Sequence, residues 1–265
     1  MRRPPVSAAR PTYRSALANL ILKDFRVRYR NMSLGILWSL LNPLVMMGIL
    51  VVVFSVVLPE QGVPHFPVFL LIGLLAYNFL SQNLSSMTGC IVENESVLKK
   101  LYFPRYLLPL SILLSNGIHA LIQLALLVLF IVVLGVPWSW SYLWYPLTWV
   151  ALMCFSLGAG LWCATLCVFY RDTLYLVQSF LSVLFWLTPI FYSLGMVRDN
   201  APAWAYRLYL LNPVAGLVDA GRAVILHGRS PDPLAFGTAC AVSLAALLSG
   251  LLFFRRYQYR LSDRI

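Results

Sequence analysis

Glu93 and Glu95 stand with Lys99, Lys100 and Arg105 in one stretch, ENESVLKKLYFPR, of a 265-residue chain in which only 11% of residues are charged. Glu95 and Lys99 lie at i,i+4 spacing, so residues 93–102 read as a short helix with Asn94 between its two carboxylates. Pro104 cannot continue that helix and disfavours it at Phe103, which turns the chain back. Opposite charges on a short helix suit recognition of a partner, because they set register and partner choice more than affinity. A merely solvated loop is the rival reading. The other reactive residue types are dispersed. His65, His119 and His227 are far apart, and the five cysteines (Cys90, Cys154, Cys163, Cys167, Cys240) are scattered. Cys163 and Cys167 are one helical turn apart, without a neighbouring histidine or carboxylate to complete a metal site. His119, between Ser115 and Gln123, is either a proton relay or a hydrogen-bonding residue between helices. The sequence contains no GxxxxGK[ST], HExxH or GxSxG, so neither a nucleotide-binding loop nor a recognisable hydrolase site is expected. No catalytic residue and no metal ligand is assigned.

The elements around this stretch are strongly apolar. The chain is 60% hydrophobic, against roughly half for a soluble domain, with a mean hydropathy of +0.79. Six runs are long enough to cross a bilayer: about 36–58, 66–89, 106–134, 143–170, 174–194 and 234–254. The expected fold is therefore an all-α integral membrane domain of six transmembrane helices. The formal net charge of +11 does not point to nucleic acid, because the basic residues collect at the ends of apolar runs. Sixteen of the twenty fall on the side of the termini and the 93–105 connection, leaving Arg198, Arg207, Arg222 and Arg229 for the other. The positive-inside rule then puts both termini and ENESVLKKLYFPR in the cytoplasm. The N-terminus lacks the uninterrupted apolar core of a cleavable signal peptide. Residues 15–30 carry Leu17, Ile21, Phe25 and Tyr29 on one face and Asn19, Lys23, Arg26 and Arg30 on another, the pattern of an interfacial helix. From 36 to 58 and from 174 to 194 there is no charge at all, so if the protein moves something uphill, the energy must enter from elsewhere.

Four stretches together resemble a known family: KDFRVRYRNMSLGILWSLLNPLVMM, LKKLYFPRYLLPLS, RDTLYLVQSFLSVLFWLTPIFY and LNPVAGLVDAGRAVILHG. They are similar to the membrane (permease) subunit of type-2 ABC exporters, above all the branch exporting O-antigen, capsule and teichoic acid. The likeness runs from about Tyr13 to Tyr259, in the family's order. It implies a bacterial inner-membrane protein acting as a homodimer with two copies of a separate ATPase. This chain would bind no cofactor; ATP and Mg would sit on the partner. Residues 93–102 would be the coupling helix, and 195–232 a re-entrant gate at the outer face, with Asn212, Pro213, Asp219 and Arg222. The substrate would be a surface polysaccharide, probed by two faces that the resemblance places along the pore. One is Gln178, Ser182, Phe185, Pro189 and Tyr192, at steps of 4, 3, 4 and 3 in span five. The other is Trp38, Asn42 and Met46 in span one. Aromatic rings stack on sugars while amides and hydroxyls exchange hydrogen bonds; the rival reading makes such faces glue between helices. Asn42-Pro43 and Asn212-Pro213 are expected to kink the chain, and Asp219 and Arg222, three apart, to pair. Competing functions are a drug or lipid exporter of the same type, a membrane-embedded glycan-modifying enzyme and a passive channel.

Overall fold

The computed structural model describes residues 13–29, 35, 37–54, 64–95 and 104–258. All regular structure among them is helical. In chain order the helices are α1 (Tyr13–Tyr29), α2 (Leu37–Val52), α3 (Phe66–Glu93), α4 (Leu107–Val133), α5 (Tyr145–Phe169), α6 (Thr173–Leu187), α7 (Leu194–Asn200), α8 (Ala203–Tyr209), α9 (Pro213–Ile225) and α10 (Pro233–Tyr257). A single 3-10 turn, Trp140–Trp144, leads into α5.

Local chemistry sets the helix ends. Prolines occupy the first turns of α3, α5, α9 and α10, where the missing N–H has no partner to lose. The Asn212 and Asp232 side chains accept from the backbone N–H of Val214 and Leu234, each at 3.1 Å, and so cap α9 and α10. α4 stops at Gly135, whose φ of 67° few other residues tolerate. There the N–H groups of Gly135 and Val136 turn back to the carbonyls of Val132 and Ile131, a Schellman closure.

α3 is the central post. It is buried along most of its length, with α2, α4, α5, α6 and α9 packed about it. α5 and α10 approach most closely where glycines allow it. A Cβ on Gly158 would lie 2.3 Å from the Ala246 carbonyl, and one on Gly250 would lie 2.3 Å from the Gly158 oxygen. Such small-residue seams are how helices pack where no water drives association. Several polar groups inside the bundle are joined to one another or to backbone carbonyls. Asn116 Nδ2 donates to Asn83 Oδ1 at 3.1 Å, and Gln123 Nε2 donates to the Ser39 carbonyl at 3.0 Å, linking α4 to α3 and α2. Thr88 and Thr165 donate to carbonyls four residues back in their own helices.

Among the described residues, four helices cross a bilayer by length and apolarity: α3, α4, α5 with its leading turn, and α10. The expected first and fifth spans are shorter. α2 has 16 residues, roughly 24 Å, and passes into a π-type turn at 53–54, beyond which residues 55–63 lie outside those described. Pro43 sits inside α2 and does not end it. The run expected to continue to 194 ends as a helix at Leu187. Pro189 accounts for this: it lacks a donor and pushes Thr188 to an extended conformation, ψ 135°. Between 194 and 225 the chain forms three short helices, with α8 and α9 meeting at 89° across residues 210–212.

Candidate functional site

The bend between α8 and α9 places a guanidinium inside the protein. Arg222, on α9, is 3% exposed. Its Nε and Nη2 donate to the Phe69 carbonyl at 3.3 Å, Nη2 also to Ile190 at 2.6 Å, and Nη1 to Tyr192 at 3.0 Å. The group lies 3.4 Å above the centre of the Phe69 ring, a cation–π contact strengthened by desolvation. These partners come from the first turn of α3 and from the extended turn after α6, where Ile190 and Tyr192 lie outside any helix. Gly73 makes room: a Cβ there would sit 3.0 Å from Ile190 Cα and 3.1 Å from Arg222 Nη2. The expected Asp219–Arg222 pair does not form, because the carbonyls of Phe69, Ile190 and Tyr192 take the Arg222 donors instead.

Asp219 faces outward into a polar cavity of about 360 Å³ with Arg198, Tyr206, Arg229 and Asp232. Partial burial, and then Arg229, hold the nearby His227 imidazole below its usual pKa. Tyr192 and Tyr209 share a hydroxyl–hydroxyl hydrogen bond of 3.0 Å, and Asn212 Nδ2 reaches the Leu187 carbonyl at 3.3 Å. The turn after α6 is thus held by α3, α8 and α9 together.

The fifth-span face divides at that turn. Gln178 and Ser182 are exposed on α6 and Phe185 is half-buried, its ring 5.1 Å from that of Tyr77. Pro189 and Tyr192 lie beyond the helix end, Pro189 buried and Tyr192 tied to Tyr209. The five residues therefore do not form one helical stripe. Trp38, Asn42 and Met46 share an exposed side of α2. α2 and the α6 turn meet where Phe54 stacks on Phe191, ring centres 5.4 Å apart.

At the opposite end of the bundle, Glu93 closes α3 with its side chain folded over Gly89. Asn94 accepts from Lys23 of α1 at 3.4 Å and donates to the Cys90 carbonyl at 2.9 Å. Glu95 is half-buried. Lys99, Lys100 and the body of the expected 93–102 helix lie outside the described residues. Arg105, where the chain resumes, donates through Nη1 to the Gln258 carbonyl at the end of α10.

Phe69, Tyr209 and Gly73 belong to this site and were not among the residues singled out by sequence. The partners of Arg222 are backbone carbonyls 30 to 153 residues away, and no side-chain spacing encodes them.

A family model described as "ABC-2 type transporter" matches residues 16–226 of the chain. The chain belongs to that family. Within the ABC-2 transporters it is 29% identical over 254 residues to an O-antigen export system permease protein RfbA of Myxococcus xanthus, covering 96% of each chain. It is 30% identical over 242 residues to one from Klebsiella pneumoniae, with 91% of each chain covered. The polysialic acid transport protein KpsM of Escherichia coli is 25% identical over 245 residues, 89% of this chain and 91% of that protein. An ABC-2 chain of this kind is a multi-pass transport subunit rather than a catalytic one.

Proposed function

We propose that this protein is the transmembrane subunit of an ATP-driven exporter of a cell-surface polysaccharide of O-antigen type, carried on a lipid across the bacterial inner membrane. Near-complete overlap with the O-antigen export permeases, at 29–30% identity over more than nine-tenths of both chains, carries the reading. The chain acts as a homodimer with two copies of a separate ATPase, and ATP and Mg bind to that partner. Both termini and the 93–105 connection face the cytoplasm, in keeping with the basic residues gathered at that end. α1 lies along the inner interface. Glu93, Asn94, Glu95, Lys99, Lys100 and Arg105 meet the ATPase and pass its motion to α3, α1 and α10, through the contacts of Asn94 and Arg105.

The exposed sides of α2 and α6, with Trp38, Asn42, Met46, Gln178, Ser182 and Phe185, line the path taken by the glycan. Pro189 and Tyr192 shape the turn at its outer end. Asn212, Pro213, Asp219 and Arg222 belong to the outer gate, where Arg222 latches the α6 turn to α3. Deleting the gene and analysing surface glycan tests this directly. Loss of surface polymer with lipid-linked polymer accumulating inside is expected, and intact surface glycan would reject it.

A further inference from the structure

Beneath α1, where it crosses the ends of α3 and α4, lies a second polar cavity of about 480 Å³ that the transport path does not use. Among the described residues its charged lining is Lys23, Asp24 and Glu93. Deeper in stand Ser85, Ser111, Ser115 and Asn116. Ser115 is 2% exposed and its Oγ has no hydrogen-bond partner in the protein. A buried hydroxyl of this kind, in the wall of an open cavity, calls for a group from outside the chain. Ser115 stands eight residues into α4 and Ser85 eight residues before the end of α3, so the cavity reaches roughly 10–12 Å inward from the helix ends.

The lining narrows the choice of ligand. Among the described residues no aromatic side chain lines it, so they offer a sugar ring no stacking surface. A bare phosphate would answer Lys23 alone, whereas the lining carries both signs. The geometry points to the headgroup and ester region of a phospholipid carrying a primary ammonium, of the phosphatidylethanolamine type. Read inward from the membrane surface, such a lipid presents an ammonium, a phosphate and then ester carbonyls. The cavity offers Glu93 and Asp24 to the ammonium, Lys23 to the phosphate and, deepest, the Ser115 hydroxyl as donor to an ester oxygen. Leu20, Leu108 and Ile112 flank the place where the acyl chains leave. The volume is within the range of small-molecule sites. This assignment rests on α1 lying at the membrane interface, as proposed above.

The test is native mass spectrometry of the full-length permease released from nanodiscs of equal parts phosphatidylethanolamine, phosphatidylcholine and phosphatidylglycerol with matched chains. The ethanolamine lipid should be retained about tenfold over the other two, the worth of one charge-assisted hydrogen bond. Combining Asp24→Asn with Glu93→Gln should abolish that preference, and Ser115→Ala should lower retention of all three lipids without changing their order. Equal retention by the unaltered protein, as a merely water-filled cavity would give, overturns the proposal, as does a preference that survives the double substitution. Lipid retention is read without ATPase or glycan, so its outcome is separable from that of the export reading.

Discussion

Arg222 brings five N–H donors into a place with no carboxylate to meet them, and three backbone carbonyls from two other segments take them instead. A planar, forked group is needed for that geometry; a lysine offers one point charge and cannot span Phe69, Ile190 and Tyr192 together. Leaving a buried polar group unpaired costs about 1–3 kcal/mol, so Arg222→Ala should lower the thermal midpoint of the purified protein by several degrees and Arg222→Lys by less. Fluorescence-detected unfolding in detergent checks this, and an unchanged midpoint for Arg222→Ala would remove Arg222 from the latch. At this scale the sequence was only partly legible. It drew attention to Arg222 as a charge in an apolar setting, yet the i,i+3 spacing suggested Asp219 as its partner. The true partners are main-chain oxygens of Phe69 in α3 and of the turn that follows Pro189, and main-chain oxygens leave no mark in a side-chain pattern.

Helices were more legible than contacts, because apolar runs and prolines act locally. The long spans α3, α4, α5 and α10 follow from uninterrupted apolar composition. α6 is shorter than its apolar run because Pro189 and the extended Thr188 end it, so the 178–192 periodicity outlives the helix that would give it meaning. The α5–α10 seam depends on Gly158, whose added Cβ would meet the Ala246 carbonyl at 2.3 Å. Gly158→Leu should therefore force the two helices apart and reduce the yield of folded protein several-fold, measured by size-exclusion of detergent extracts; unchanged yield and stability would contradict the seam. The 93–105 connection gives a different expectation. Reversing its charge with Glu93→Lys and Glu95→Lys should abolish export while the protein still inserts in the membrane, read by surface-glycan staining beside membrane-fraction blots. Normal glycan display by that variant would reject the coupling role.

For the whole molecule, three facts come together: a family match from residue 16 to 226, a bundle of apolar helices, and a sequence without a nucleotide loop. Membrane class could be read from composition alone, since 60% hydrophobic residues in long runs leave few alternatives. The division of labour with an ATPase came from resemblance to a family, because the chemistry that would reveal it resides on another chain. The most direct measurement is transfer of lipid-linked polysaccharide across vesicles holding the permease, with and without its ATPase and ATP. Transfer is expected only when permease, ATPase and ATP are all present. Uphill transfer by the permease alone would contradict the account.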